Sequence, residues 1–298
     1  MSLIFLDKIK EIKMRINFLT KILPVGLLGL FILTTGGCIY IDAGGFWGAQ
    51  VKYERTVPLS APLAPGSKFT AQTHNGSIAV SGAETEQCSL TATITGRAPN
   101  DEDARKIVEK TQVTLESSGD KLNAKIKKPY LHRRQSVCVD LEVTVPVKTS
   151  LDLATHNGNL KIENINGEID GVTHNGGVVL AQCTGNLELE THNGSLNGRE
   201  ISGDLQLLTH NGKILAAYSQ SAPPVCDASI ITHNGSVDFT APLNFSAAVT
   251  ASTYNGSITT DLPLMITGSF SGRKLTGTIG DGQGNLHLET HNGSINIR

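Results

Sequence analysis

Seven of the nine histidines in this 298-residue chain stand in one repeated tetrapeptide, Thr-His-Asn-Gly. Imidazole nitrogens bind Zn²⁺ and Cu²⁺, and imidazole changes charge near neutral pH. The repeated histidines are His74, His156, His174, His192, His210, His233 and His291. An eighth copy has Tyr254 in the histidine position, where we expect a break in the series. Any chemistry of these side chains depends on how the repeats stack.

The repeat predicts a β-solenoid. Four copies follow one another every 18 residues, and apolar residues such as Leu160, Val178 and Leu196 recur with period two around them. Such alternation is typical of strands with one buried face, and a fixed period is typical of stacked units. We therefore predict an all-β fold, a parallel β-solenoid with coils of about 18 residues, each made of two short strands and two glycine-marked bends.

An antiparallel meander is the alternative architecture, because Asn-Gly between alternating strands is also the strongest hairpin signal. A solenoid explains the near-identity of the copies better, since equivalent residues then lie about 4.8 Å apart on neighbouring strands. Strand parity places Thr and Asn inward or in the bend, and His outward. The asparagines would form a ladder of hydrogen bonds along the axis: Asn75, Asn157, Asn175, Asn193, Asn211, Asn234, Asn255 and Asn292.

The segment before the regular copies has a different pattern. An Asn100 cap followed by acidic residues predicts a helix over 101–111, and residues 111–127 are typical of a hairpin. This helix could cover one open end of the solenoid, whereas the last coil ends at Arg298 without such a cap. Cys88 and Cys138 lie in strand-like segments on either side of the helix, and we predict a disulfide between them.

The N-terminus is typical of an exported protein. Basic residues precede an apolar run at 22–33, which at about 12 residues is too short to span a bilayer. Small residues and Cys38 follow, which resembles the bacterial lipoprotein signal, in which the cysteine is lipidated. The predicted regions are a signal peptide (1–37), a lipidated cysteine and tether with one short strand (38–66), an N-terminal β region (67–150) and the repeat solenoid (151–298).

The charge of the chain excludes some partners. With 25 Lys+Arg against 27 Asp+Glu, it lacks the basic footprint of a nucleic-acid-binding protein. Removing residues 1–37 removes a net charge of +3 and leaves −5. A surface of this sign is not drawn to anionic headgroups, so we expect the lipid to hold the protein on the membrane. Ile39 and Tyr40 lack an acidic retention signal, which by resemblance to known sorting favours the outer membrane over the inner.

The lipoprotein signal, the recurring Asn-Gly-x-apolar strands and the helix with its hairpin resemble the bacterial putative adhesin family of β-helical envelope domains. The resemblance extends over about residues 50–298 and implies an exported, non-enzymatic β-solenoid. Members of the family largely lack an assigned activity. We therefore expect a structural or adhesin-like module, without a cofactor, that binds an envelope or surface macromolecule along one flat face. The resemblance does not account for the strict histidines.

The histidines support a different function, a metal-binding envelope protein. Rings on consecutive coils could share Zn²⁺ or Cu²⁺, helped by carboxylates on the same face. The candidates are His156, His174, His192 and His210. They are equally consistent with a solvated face on which histidine was copied with the repeat, or with a pH response, since charged imidazoles in a stack repel below about pH 6.5. A polysaccharide-acting enzyme is the third function, but no acidic cluster stands out.

Overall fold

The computed structural model describes residues 50–266 and 271–298. The predicted signal peptide, Cys38 and the first part of the tether lie outside these residues. Within them the one helix, α1, spans Asp101–Lys110, and the rest of the secondary structure is β. No helix of this described part is long and apolar enough to cross a bilayer.

In chain order the strands are β1 Val51–Pro62, β2 Lys68–Asn75, β3 Ile78–Ala83, β4 Gln87–Ala98, β5 Gln112–Ser118, β6 Lys121–Lys127, β7 Ser136–Pro146, β8 Ser150–Asn157, β9 Leu160–Glu163, β10 Ile169–Asn175, β11 Val178–Ala181, β12 Leu187–Asn193, β13 Leu196–Ile201, β14 Leu205–Asn211, β15 Ile214–Tyr218, β16 Asp227–Asn234, β17 Val237–Thr240, β18 Ala247–Asn255, β19 Ile258–Thr260, β20 Met265–Ile266, β21 Lys274–Ile279, β22 Gly284–Asn292 and β23 Ile295–Ile297.

The strands form two sheets around one apolar core. The 11-stranded sheet has the order β1-β4-β7-β3-β9-β11-β13-β15-β17-β23-β19, and the 12-stranded sheet has the order β20-β21-β18-β22-β16-β14-β12-β10-β8-β2-β6-β5. In each repeat, the strand that ends in Thr-His-Asn joins the 12-stranded sheet, and the strand after the bend joins the 11-stranded sheet. Neighbouring repeat strands are parallel, so the all-β, solenoid-like prediction is confirmed and the meander is wrong.

Identical positions pair with one another along the repeat strands. Thr173 pairs with Thr155 on one side and with Thr191 on the other. Burial alternates along each strand, so that Leu187 and Leu189 of β12 are buried. Each such leucine contributes about 1.5–3 kcal/mol to folding when it is fully buried. Because a lone coil has nothing to cover its apolar row, this contribution exists only in the stack.

The last coil in the sequence lies inside the stack. β22 lies between β16 and β18, so that Thr290 pairs with both Thr232 and Thr253. Antiparallel β21 and β20 continue the 12-stranded sheet beyond β18. The expectation that the C-terminal coil is the uncapped end of the solenoid is therefore wrong, since residues that precede it in the sequence lie outside it.

The opposite end of the core is closed by α1. The Asn100 side chain accepts a hydrogen bond from the backbone N–H of Asp103, as a cap should, and the buried face of the helix packs on β4 and β1. β1 pairs with β4 along its whole length, and it contains the short strand that the sequence predicts at Val51–Val57. The strand continues to Pro62, and alternate side chains such as Val57 and Leu59 pack against the core.

The predicted disulfide between Cys88 and Cys138 is wrong, because both are free thiols. Cys138 pairs with Thr95 in the antiparallel β4–β7 ladder. Cys88 lies seven residues from Thr95 along β4, about 23 Å at the usual rise per residue. A disulfide needs Cα atoms within about 7 Å. The two segments are neighbouring strands, as predicted, but their register keeps the sulfurs apart.

The bend after each asparagine brings successive coils into backbone contact at the glycine. A Cβ on Gly176 would lie 1.9 Å from the carbonyl oxygen of Gly158, and one on Gly194 would lie 1.9 Å from that of Gly176. Across the seven copies after the first, this distance is 1.9–2.0 Å. No side-chain carbon fits there, so the glycine is required by close packing between coils.

We predict that Gly194→Ala lowers the free energy of unfolding by about 3 kcal/mol or prevents folding, because the added methyl group must push two coils apart. Gly272→Ala is the matched control, since a Cβ at Gly272 meets no atom of the described residues within 4 Å. The control should change stability by less than about 0.5 kcal/mol. Urea unfolding measures both variants, and equal stability of Gly194→Ala and the wild type would refute the packing argument.

Candidate functional site: the histidine column

The threonine of each tetrapeptide is buried, and in the seven copies after the first it ties its coil to the neighbouring coil of the stack. The Thr173 hydroxyl donates a hydrogen bond to the carbonyl oxygen of Gly158 at 2.8 Å. The same bond, at 2.8–3.0 Å, joins Thr155 to Gly76, Thr191 to Gly176, Thr209 to Gly194, Thr232 to Gly212, Thr290 to Gly235 and Thr253 to Gly293. The carbonyl oxygen that accepts this hydrogen bond is the same oxygen that a Cβ on the bend glycine of the next coil would contact. Valine has the same shape as threonine but cannot make this bond.

The asparagine side chains form a ladder along one corner of the solenoid. The amide nitrogen of Asn193 donates to the side-chain oxygen of Asn175 at 2.9 Å, and that of Asn211 donates to Asn193 at 2.8 Å. The ladder runs through Asn75, Asn157, Asn175, Asn193, Asn211, Asn234, Asn292 and Asn255. All but the half-buried Asn75 are exposed, so of the two predicted placements, inward or in the bend, the bend is the one observed. The strand ends at Asn, and the turn there carries its side chain to the surface.

The histidine rings form one continuous stack on the outer face of the 12-stranded sheet. Adjacent ring centroids are 4.7–4.9 Å apart, and the interplanar angles are 1–8°. We call this stack the histidine column; its order is His74, His156, His174, His192, His210, His233, His291 and Tyr254. Tyr254 was expected to break the series, but it ends the column by stacking on His291 at 4.7 Å. Because each ring covers the face of its neighbour, mainly ring edges remain open to solvent.

The stacked rings are poorly placed to share a metal ion. Two nitrogens on one Zn²⁺ lie no more than about 4.2 Å apart, since each Zn–N bond is about 2.1 Å. Rings repeated along the sheet hold equivalent nitrogens about as far apart as their centroids, and the lone pairs run parallel. Within residues 50–266 and 271–298, no group of three or more His, Cys, Asp or Glu side chains is arranged to hold a metal ion. The metal site at His156, His174, His192 and His210 stays a prediction, without support from this geometry.

A mixed column of side chains lies beside the rings, two residues earlier on each strand. It consists of Gln72, Ala154, Val172, Glu190, Leu208, Ile231, Glu289 and Ser252, which pair in that order. His287 lies two residues before Glu289, and its Nε2 is 3.5 Å from the Glu289 carboxylate. The outer face thus presents ring edges and amides on one side, and aliphatic and carboxylate groups on the other. Such a face can make hydrogen bonds along one column of side chains and apolar contacts along the neighbouring column.

Burial lowers the pKa of several column histidines. It is the main cause at His174 and His210, and the charges of the rings on either side lower the pKa further. The pKa of His233 is lowered in the same way, by burial and then by His291. At His74 burial acts with the Lys128 ammonium and with His156 to lower the pKa. Folding therefore favours the neutral form of these four rings, because a charged ring loses hydration and meets charged neighbours.

The threonine–glycine bonds were not foreseen from the sequence, although a signal for them exists. Threonine stands at a buried strand position in all eight copies, where an aliphatic residue would also be buried. Its strict retention among the copies indicates that the hydroxyl is used.

We predict that the free energy of unfolding falls as pH falls through about 6.5, the pKa of an unfolded histidine. Because the folded pKa values are lower, the unfolded chain binds more protons in this range, so acid favours unfolding. The loss continues until the pH is below the folded values. Urea unfolding between about pH 8 and about pH 5.5 measures it, and the His174→Gln/His210→Gln variant should show a shallower slope. Stability that is constant or rises on acidification would contradict the prediction.

Solved structures similar to this chain include the following three. A "putative cell adhesion protein" from Clostridium sporogenes is 12% identical with a TM-score of 0.35, and the match covers 82% of this chain and 99% of that one. A "putative adhesin" from Bacteroides fragilis is 12% identical with a TM-score of 0.32, covering 82% and 97%. A "putative lipid binding protein" from Parabacteroides distasonis is 11% identical with a TM-score of 0.38, covering 82% and 96%. Because the TM-scores are below 0.5, these structures add nothing to the functional argument.

No curated protein matches the chain. The family model of Toastrack DUF4097 matches residues 67–298, which include all eight copies of the tetrapeptide and the helix with its hairpin. The repeated strands and the helix with its hairpin are two of the three features on which the resemblance to an adhesin-like family is based, and the resemblance is confirmed. The chain belongs to the Toastrack DUF4097 family.

Proposed function

We propose that the chain is a lipid-anchored module of the bacterial cell envelope, which binds an extended macromolecule along the outer face of the 12-stranded sheet and catalyses no reaction. The observation that carries the proposal is the register of that face. Eight strands present the rings of the histidine column one strand spacing apart, from His74 at one end to Tyr254 at the other. A repetitive polymer can make the same contact at each rung, so that many weak contacts add up.

The state of the thiols supports a non-enzymatic role. Burial raises the pKa of Cys88 to about 12, and burial together with Asp140 raises that of Cys138 to about 11. Burial also raises the pKa of the thiols of Cys183 and Cys226. Nucleophilic cysteines require a lowered pKa, so these thiols are suited to packing. The carboxylates of the outer face stand on a flat sheet, whereas glycoside hydrolysis uses a pair that flanks the substrate from two sides.

The binding face is tested by adding the same charges to two surfaces. We predict that Val172→Glu/Leu208→Glu, on the outer face of the 12-stranded sheet, weakens binding to peptidoglycan sacculi or arrayed envelope glycans at least tenfold. The matched control is Val179→Glu/Leu215→Glu, on the outer face of the 11-stranded sheet, which should bind as the wild type does. All four residues are half-buried or exposed strand residues, so both variants should fold. Absence of wild-type binding, or equal loss in both variants, would contradict the proposal.

The anchor is tested separately. We predict that labelled palmitate enters the wild-type protein in bacterial cells and does not enter Cys38→Ala, because the proposed acceptor is the cysteine at the end of the signal. Gel fluorography of immunoprecipitated protein measures the incorporation. Equal labelling of the two proteins would rule out lipidation at Cys38.

A further inference from the structure

One segment at the N-terminal end of the solenoid departs from the low charge of the chain. Residues 121–134 contain six basic side chains and no acidic one. The basic residues are Lys121, Lys125, Lys127, Lys128, Arg133 and Arg134. β6 ends at Lys127 and β7 begins at Ser136, so the chain crosses here from the 12-stranded to the 11-stranded sheet. We call residues 127–135 the basic loop.

The basic loop holds an aromatic side chain out in solvent. Tyr130 is 85% exposed, while the adjacent Leu131 packs partly against the core. The His132 ring meets the Tyr130 ring edge-on with centroids 5.3 Å apart. The backbone N–H of His132 donates to the Gln135 side chain at 2.9 Å, which closes the turn. An exposed tyrosine among lysines and arginines is typical of membrane interfaces, where the ring sits at headgroup level.

The basic loop lies where the chain enters the domain. The Gln50 side-chain nitrogen donates to the carbonyl oxygen of Arg134 at 2.9 Å. Gln50 follows Cys38 by twelve residues, a span of at most about 40 Å when fully extended. If Cys38 is held in a bilayer, the basic loop is therefore the part of the domain tethered nearest to the headgroups.

The charges of the basic loop are available for a partner. Two lysines nearby are already paired, since Lys125 lies 2.8 Å from the Glu116 carboxylate and Lys52 lies 2.7 Å from that of Glu54. Within the described residues, no ion pair involves the four basic side chains of the loop itself, Lys127, Lys128, Arg133 and Arg134. Acidic side chains are also present at this end of the domain. Ala98 pairs with Val51 at the start of β1, and the acidic first turn of α1 follows Ala98 in the sequence.

We propose that the basic loop docks the domain onto the anionic headgroups of the membrane that holds its N-terminus. Its four cations contact lipid phosphates, and the Tyr130 ring enters the interface. The proposal rests on the lipid anchor proposed above. It replaces the expectation drawn from the net charge of the mature chain, because charges farther away than about 10 Å are screened and only the local charge counts at the surface.

Docking through this end orients the whole domain. The basic loop follows β6 near one edge of the 12-stranded sheet, and β20 and β21 form the other edge. The stacking axis would then point away from the membrane, with the histidine column running along it. A polymer bound to that face would be held along the membrane normal.

The test uses the lipidated full-length protein in vesicles of phosphatidylcholine alone, or with about 30% phosphatidylglycerol as the anionic lipid. Trypsin cleavage after Arg133 and Arg134 reports access to the basic loop, and cleavage after Arg273, in an exposed turn before β21, is the internal control. We expect phosphatidylglycerol to slow cleavage in the basic loop at least fivefold without changing cleavage after Arg273. High salt should abolish the protection, because it screens the headgroups.

Lys127→Gln/Lys128→Gln leaves the arginine cleavage sites intact. This variant should lose the protection, because each lysine contributes about fivefold to the affinity of the loop for anionic headgroups. Lys161→Gln/Lys213→Gln removes two exposed lysines elsewhere and should keep it. Equal cleavage in the two kinds of vesicle, or equal protection at Arg273, would overturn the docking proposal. Palmitate labelling of the same preparations measures lipidation independently of trypsin cleavage. It therefore distinguishes a protein that is not lipidated from a lipidated protein whose basic loop does not dock.

Discussion

The contact between bend glycines is the constraint on which the rest of the structure depends. Each of these glycines lies against the carbonyl of the glycine in the neighbouring coil, at a distance that no Cβ allows. The contact sets the vertical spacing of the coils at one end of every repeat strand. The threonine bond, the asparagine ladder and the ring stack are all built on the three residues before that glycine. Their geometry depends on the register that the glycines set between coils. Each of these interactions adds stability to the stack, which buries its core only when all its coils are present.

The histidine column follows from this register. Outward side chains at one position of parallel strands must lie one strand spacing apart, and imidazoles at that spacing stack face to face. Stacking covers the ring faces and favours the neutral form, as the lowered pKa values of His174 and His210 indicate. The column is thus a packed edge of the outer face. This suits a surface that contacts a polymer better than one that gathers metal ions.

Much of the fold could be predicted from the sequence because its determinants are local and repeated. The parallel repeat strands, the outward histidines, the helix after Asn100 and the hairpin after it are present in the structure. Three features could not be predicted from the local sequence pattern. The insertion of β22 between β16 and β18 depends on contacts across the chain. The separation of Cys88 from Cys138 depends on the β4–β7 register. The exposure of the asparagines depends on where the strand ends, since parity holds only within a strand.

The order of the rings along the column tests the glycine-set register most directly. Nuclear Overhauser contacts between histidine ring protons, with residue-specific assignments, report which rings are neighbours. Stacking in the register described here predicts contacts between His174 and His192, between His233 and His291, and between His291 and Tyr254, with none between His233 and Tyr254. A contact between His233 and Tyr254, as coils stacked in sequence order would give, or no contacts between rings at all, would contradict this account.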